Sequence, residues 1–464
     1  MQTTDQKTKL GLITLVCLII GNMIGAGLYV SSFYSLSSLG DARLVLLVWV
    51  IGGVHALCGA VAYGAVAKRL PVSGGEYAFL SRCVHPGLGF VAGWISIVAG
   101  FTAPIAVTSL LLSQYILDMT PLANPSSEWI KKAIATIAIL VAAGMYSVHL
   151  RLGTGFNNLI VAFKLGCFVL FLAFGIPFIL STPSDGMYVR DAGAMGPRPL
   201  FESLGDLGTW SAMFIQLFYV SLAYTGFNAS IYLAGDLSDD RASASKLVAR
   251  SMWVSCAAVM VIYIMLNAVF LYGLDGKSIV AAGEGFVPVV ASHVGGEWLG
   301  WVMRIAIILS ATTSVFAMMA TGPMVYIQMA RDNLLPGIVL GPSQNTRRAV
   351  LIQAILCCVV VWVSTIEGLI SYLGLTLTAC GAMAVSSVWF AKSRLEQASP
   401  ILLHEHAATA IYVVGAIGLL LVASQSDKQA IRLYLCLGTF ALGAIFYAIG
   451  RSGGEIATDA SSHT

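Results

Sequence analysis

Three stretches of the sequence put reactive or hydrogen-bonding groups where a plain apolar helix would not carry them. The first is Gly21-Asn22-Met23-Ile24-Gly25-Ala26-Gly27, three glycines within seven residues. Each glycine inside a helix costs about 1 kcal/mol relative to alanine, so this run is a weak point. The second is Ala223-Tyr224-Thr225-Gly226-Phe227-Asn228, weak at Gly226 and Asn228. Unwinding at either place frees backbone N–H groups at one half-helix end and carbonyls at the other. The first set suits a carboxylate and the second an ammonium. The third feature is Lys164, in an apolar run nine residues beyond Gly155. A lysine inside a membrane span costs about 2.5–3.5 kcal/mol at the centre and usually faces a polar interior. It reads as a fixed or titrating cation beside the unwound segments, a candidate proton carrier or a substitute for a bound sodium ion. The bland alternatives are small-residue packing, for which Gly21 and Gly25 have the spacing, and a lysine that snorkels to the headgroups.

The elements that must position these groups follow from composition. Of 464 residues, 58% are hydrophobic and 10% charged, with a mean hydropathy of +0.85. Soluble proteins carry about 25% charged residues, so this chain cannot cover a water-facing surface. A disordered chain, a secreted disulfide scaffold and a nucleic-acid binder are excluded, and the bilayer is the chain's solvent. Apolar runs fall near 9–35, 42–67, 84–117, 130–149, 155–180, 210–235, 247–273, 298–330, 348–367, 369–391, 407–424 and 430–450. Each is long enough to span, so the chain is an all-α polytopic membrane protein of twelve transmembrane helices. Fifteen Lys and Arg residues fall on the side of the termini and eight on the other, which places both termini in the cytoplasm. The first run has no small-residue cleavage site after it and reads as a retained helix rather than a signal peptide. The loops and tails leave no room for a folded soluble domain, so residues 1–464 are expected to form a single membrane domain. Short tails and the lack of glycosylation-competent outer sequons point to a bacterial inner membrane.

The two weak points lie about 200 residues apart, each in the first helix of a five-span block, at about 9–180 and 210–391. Two further spans trail at about 407–450. An odd block size inverts the second block relative to the first. Interrupted helices at matching places in inverted halves point to a transporter's midplane site, because exposed backbone is tolerated at that depth only where it lines a cavity. Other titratable groups carry less. Arg304 reads as snorkelling or lining the outer vestibule, His55 as structural, and the nine cysteines as small buried residues without a Cys-x-x-Cys pair. The seven histidines are scattered, with only His404 and His406 close, so neither a metal set, a cofactor site nor an enzyme is expected. A channel or receptor whose glycines serve packing is the rival outside transport.

At these residues the chain resembles the amino acid–polyamine–organocation superfamily, which includes amino acid permeases and L-type amino acid transporters. Gly-Asn-Met-Ile-Gly-Ala-Gly-Leu-Tyr is similar to that family's broken first helix, and Leu-Pro-Val-Ser-Gly-Gly-Glu-Tyr-Ala-Phe-Leu (70–80) to its first cytoplasmic loop. Ala-Tyr-Thr-Gly-Phe-Asn with Ala-Gly-Asp-Leu (234–237) resembles the sixth helix and its exit. Met-Ala-Arg-Asp-Asn-Leu-Leu-Pro (329–336) resembles the end of the eighth. The resemblance implies a leucine-transporter-type fold, a 5+5 inverted repeat plus two C-terminal helices. It also implies a substrate α-carboxylate held by the amides of Gly25, Ala26 and Gly27. The α-amino group would rest on carbonyls of Met23, Leu222, Ala223 and Thr225, with Asn22 at the pocket's edge. The family's fifth-helix lysine corresponds to Lys164, and Ser314 would line the same former sodium site. Met318 and Met319 would line the side-chain pocket. Relatives often carry serine at the position of Ala26 and a gating aromatic at that of Leu222, with Tyr224 or Phe227 as replacements here.

The substrate implied is an amino acid, tilted toward neutral, small or apolar ones because no acidic residue falls in a span near the breaks. Arg304 keeps an anionic amino acid open. Proton symport through Lys164 and sodium-independent exchange both stay open. The 118–130 loop lacks the cysteine that heavy-chain-linked members use, so no disulfide-linked heavy subunit is expected.

Overall fold

A computed structural model describes residues 11–70, 74–120, 128–148, 154–181, 200–231, 241–332, 334, 346–394, 400–425 and 427–452. The motif at 234–237 lies outside the described residues, as do positions 71–73, 333, 335 and 336 of the other two loop motifs.

The first span is broken. α1 (Leu12–Met23) and α2 (Ala26–Leu39) meet at Ile24 and Gly25, and their axes bend by 43°. α3 (Ala42–Arg69) starts on Asp41, whose side chain accepts from the Arg43 amide, after Gly40 ends α2 at φ +65°. The segment expected as a loop at 70–80 contains α4 (Gly75–Cys83), entered through Gly74 and Gly75 at φ +120° and +60°, values that side-chain-bearing residues rarely adopt.

The third span is α5 (Pro86–Ile95), a π-helical stretch (Ser96–Thr102) and α6 (Ala103–Leu117). Pro104 has no N–H to give the Gly100 carbonyl, which is a local reason for the wider turn. The Thr102 hydroxyl bonds the Ile97 carbonyl at 2.8 Å, and Gln353 reaches Thr102 Oγ1 at 2.8 Å from a later span.

α7 (Glu128–Val148) and α8 (Thr154–Ser181) complete the first five spans. After a short α9 (Leu200–Leu204), the sixth span begins as α10 (Leu207–Ala223), and its α-helix stops there. Residues 224–231 run on as turns and 3-10 geometry, with Gly226 at φ +96°. α11 (Arg241–Tyr272) is the seventh span. Residues 274–297, expected as a loop, instead fold largely as α12 (Gly276–Ala282) and α13 (Phe286–Gly295). They are apolar enough to resemble a span. At 1.5 Å per residue, though, pieces of 7 and 10 residues fall short of a hydrocarbon core about 30 Å thick. The chain continues as α14 (Glu297–Arg331), α15 (Thr346–Val363), α16 (Ile366–Ser386), α17 (Val388–Arg394), α18 (Leu403–Ser424) and α19 (Asp427–Ser452). Eleven described helices, one of them the α12–α13 pair, are long and apolar enough to cross a membrane, and the bent α1–α2 pair makes twelve. Setting α12–α13 aside and adding the sixth span, whose helix is cut short at its break, keeps the total at twelve.

Helix contacts recur with each partner displaced by five spans. α1 packs on α11 while α10 packs on α3; α8 packs on α14 while α16 packs on α6. α6 packs on α7 as α14 does on α15, and α1 on α8 as α10 does on α16. Two halves of like shape, interleaved, produce this exchange of partners. The two broken spans therefore come to the centre, each held against the other half.

Polar stitches close the bundle at both ends. At the α2 C-terminal end, Tyr34 bonds the Glu284 carboxylate and stacks on Tyr219, with centroids 5.2 Å apart. Tyr219 donates to Glu367 at 3.2 Å, and Arg432 pairs with Glu367 at 3.0 Å. Lys131 lies 3.8 Å from Glu284, and Tyr115 donates to the Glu284 carbonyl at 3.2 Å. At the other end, Arg69 and Glu405 pair at 2.9 Å with both side chains 2% exposed, and Lys68 joins at 3.0 Å. Removing one partner of a buried pair typically costs about 3–5 kcal/mol, because the other charge stays in place. Glu405→Ala is therefore expected to lower the thermal unfolding temperature of detergent-purified protein clearly, and Lys68→Ala, at a half-exposed position, far less.

Candidate binding cavity between the two helix breaks

The two breaks face one cavity of about 180 Å³. Asn22, Met23, Gly25 and Gly27 line it from the first span, and Leu222, Thr225, Gly226, Phe227 and Asn228 from the sixth. Ser96, Gly100, Phe101 and Pro104 of the π stretch and its exit form another wall, with Ser314 and Met318 of α14. Asn22 is exposed and marks the mouth.

The breaks approach closely because Gly27 has no side chain. A methyl group there would lie 2.7 Å from Ala223 Cα and 2.8 Å from its nitrogen. Gly25, the residue before α2, has extended backbone and no atom within 4 Å of where a methyl would sit. α2 receives no side-chain cap, so the first amides of its N-terminus have no side-chain acceptor, and Gly27 among its first residues lines the cavity. The Gly25 amide is turned back onto the Met23 carbonyl at 2.9 Å, so it is not directed to the cavity as the resemblance implied.

Lys164 terminates α1. Its ammonium, on a residue 2% exposed, donates to the Ile24 carbonyl at 2.7 Å and lies 3.5 Å from the Gly21 carbonyl. These are carbonyls a helix C-terminus leaves without intrahelical partners, at its negative dipole end, which gives a buried cation both acceptors and a favourable field. The third contact is Ser310 Oγ at 3.2 Å. The sequence reading put Ser314 there. The structure puts Ser310 on the ammonium and Ser314, one turn later, on the cavity wall.

Three other residues sit differently from expectation. The Tyr224 hydroxyl donates to the Trp49 carbonyl at 3.1 Å, so this ring serves packing between the sixth span and α3 and does not line the cavity. Met319 is fully buried and off the wall, unlike Met318. Ala223 presents its carbonyl to Tyr263, whose phenol lies 3.0 Å from that oxygen and 2.8 Å from the Met23 carbonyl. One α11 hydroxyl thus bridges both breaks, a role no motif marked. Phe227 does line the cavity and meets Tyr63 edge-on at 5.6 Å. The Leu222 carbonyl accepts from the Thr225 hydroxyl at 2.7 Å, and both residues line the cavity.

Glu76 escaped the sequence reading. It belongs to α4, outside every expected span, yet its side chain reaches the cavity. Arg304, by contrast, donates to the Asp118 carbonyl at 3.0 Å and lies over the Trp301 ring, away from the cavity. His55 stacks on Tyr412 and bonds its carbonyl at 3.1 Å, in keeping with a structural role. Among the described residues no three His, Cys, Asp or Glu side chains converge as a metal site.

A family model described as amino acid permease matches residues 10–442. Among curated proteins, the chain is 26% identical over 339 residues to the large neutral amino acids transporter small subunit 2 of Homo sapiens, covering 72% of this chain and 59% of that protein. It is 25% identical over 356 residues to the Asc-type amino acid transporter 1 of Mus musculus, covering 76% and 63%. It is also 25% identical over 342 residues to the serine/threonine exchanger SteT of Bacillus subtilis (strain 168), covering 72% of each chain. The match thus spans about three fifths of the length of the mammalian relatives.

Proposed function

The chain belongs to the amino acid permease family, and from that premise we propose that it is a secondary active transporter that carries free amino acids across the plasma membrane by alternating access. The observation that carries this reading is the pair of broken spans facing one cavity. The uncapped N-terminus of α2 offers N–H donors for an α-carboxylate, and the unwound stretch at Thr225, beyond the Leu222 carbonyl that is already engaged, offers a carbonyl for an α-ammonium. Neutral, small or apolar L-amino acids fit a wall of Met23, Phe101, Leu222, Phe227 and Met318. The relatives, a large neutral amino acid transporter and a serine/threonine exchanger, lean the same way.

The unit proposed is one membrane domain with repeats at about 9–180 and 210–391 and trailing helices at about 407–450. It sits in the cell inner membrane with both termini cytoplasmic, without a disulfide-linked heavy subunit, and it transports rather than catalyses. Lys164 and Ser314 are proposed as coupling and support residues, and Ser310 joins them on its contact with the ammonium. Proton symport and exchange are the two modes.

Purified protein in proteoliposomes decides between them. A panel of radiolabelled amino acids is offered with an inward proton gradient, and separately with unlabelled amino acid inside. Saturable uptake that follows the gradient means symport; uptake that needs only internal substrate means exchange. A panel with no saturable uptake under either condition removes the transport reading and leaves the channel or receptor alternative.

A further inference from the structure

Behind the cavity wall formed by the π stretch lies a buried polar cluster that the binding reading leaves unused. Gln353 of α15 is fully buried. Its Oε1 accepts from the Tyr326 hydroxyl of α14 at 2.8 Å, and its Nε2 donates to Thr102 Oγ1 at 2.8 Å and to Cys357 Sγ at 3.4 Å. The Thr102 hydroxyl in turn donates to the Ile97 carbonyl at 2.8 Å, and Cys357 Sγ lies 3.6 Å from the Thr102 carbonyl. An amide in so dry a place is costly unless both of its ends are met, and here both are. Thr102, Tyr326, Gln353 and Cys357 all stand off the cavity wall.

What the cluster holds is a change of helical register. The Thr102 hydroxyl and the Ala103 amide each reach a carbonyl five residues back, at Ile97 and Val98, the interval of a π turn. In an α-helix the residue five beyond Ser96 would be turned about 140° from it, because each step turns about 100°. The wider turn brings Phe101 back beside Ser96, and Ser96, Gly100 and Phe101 all line the cavity. Phe101 leans on Gly322 of α14, where a methyl group would lie 3.0 Å from its ring and 3.2 Å from Gln353 Oε1.

We propose that Gln353 is a positioning residue for side-chain selection: through Thr102 it holds the π turn that presents Phe101 to the cavity, and Phe101 limits the bulk of the side chain admitted. This rests on the transport reading above. Without the amide the span relaxes toward α geometry, Phe101 leaves the wall, and larger side chains gain on smaller ones. Rejection by size is a clash built into a wall, and it lasts only while the wall is held.

The test is competition against uptake, by proteoliposomes of the full chain, of a radiolabelled neutral amino acid that the panel above finds to be carried. The competitors are L-alanine and L-leucine, both uncharged and differing in apolar bulk. In Gln353→Leu, leucine is expected to gain on alanine about tenfold relative to wild type, the scale on which a pocket reads a methylene or two. Thr102→Val is expected to shift the ratio in the same direction, and Thr102→Ser, which keeps the hydroxyl, to leave it at the wild-type value. Phe101→Ala is expected to move the ratio by itself, and adding Gln353→Leu to change it further by less than about twofold, because both act on one wall. A cluster that only stabilised the fold would lower unfolding temperature and flux and leave the ratio alone. An unchanged ratio in Gln353→Leu overturns the positioning role, as does an additive shift in the double variant. So does an unchanged ratio in Phe101→Ala, a result that stands whether or not the buried variants fold. Absence of saturable uptake by wild type overturns the transport reading itself, and the positioning role with it.

Discussion

Alanine in place of Lys164 is expected to reduce amino acid uptake about a hundredfold while leaving a protein that still purifies as a folded species. The expectation follows from what the ammonium does to α1. It supplies the donor for the Ile24 carbonyl at 2.7 Å, lies within reach of Gly21, and reaches across to Ser310 on α14. Without it, one turn of helix end loses its partner in a place screened from water. A buried polar group left unpaired costs about 1–3 kcal/mol, and water entering the gap would restore part of that for stability. It would not restore the geometry, because a mobile water does not fix the angle between α1 and α14. At 1.36 kcal/mol per factor of ten, about 2.7 kcal/mol of lost positioning gives the hundredfold. Lys164→Arg separates charge from shape: the longer, planar guanidinium keeps the charge but cannot enter the same carbonyl pair, so uptake is expected to stay low. Uptake within threefold of wild type in Lys164→Ala would show that α1 is held by other contacts.

The second large effect is expected from a single methyl group. Gly27→Ala places a Cβ 2.7 Å from Ala223 Cα, a backbone atom that no rotamer change can move aside. The two broken spans must separate, and overpacking of this kind costs about 1–3 kcal/mol. Both thermal stability and uptake should fall. Gly25→Ala is the informative contrast. Its backbone is extended, and its methyl meets no atom within 4 Å, so stability should hold while the methyl intrudes on the cavity. Loss of uptake without loss of stability in Gly25→Ala, and loss of both in Gly27→Ala, would separate binding from packing two residues apart. Equal thermal shifts in the two variants would refute that division.

Much of the architecture could be read from the sequence because the bilayer imposes it. Against spans of about twenty apolar residues, a glycine run inside one of them, Gly226 and Asn228 inside another and a lysine inside a third are violations of a simple rule, and such violations are visible without coordinates. What stayed hidden depends on tertiary placement. Glu76 looked like a loop residue, and only the re-entry through Gly74 and Gly75 brings it to the cavity. Ser310 and Ser314 share a helix face one turn apart, so periodicity alone does not say which meets the lysine. Tyr224 sits where the helix stops, and from there the 100° step no longer fixes a side chain's direction. Tyr263 lies mid-span with no motif, although a phenol deep in an apolar helix needs a partner and was a signal that could have been followed. Pro104 was another such signal, for the π stretch before it. The helical character of 276–295 was missed because its glycines and charges read as loop, and its two short pieces satisfy both descriptions.

The stitched end of the bundle bears on turnover. Tyr34, Tyr219, Glu284, Glu367, Lys131 and Arg432 join elements from both halves of the chain, so in the proposed alternating-access cycle these bonds oppose opening at that end. In that proposed cycle an empty carrier has nothing to offset their loss, whereas a loaded one has its substrate between the two breaks. Of the two modes proposed, exchange avoids the empty return, so in that mode flux with substrate on both sides should outrun flux with substrate on one; in the symport mode it should follow the proton gradient instead.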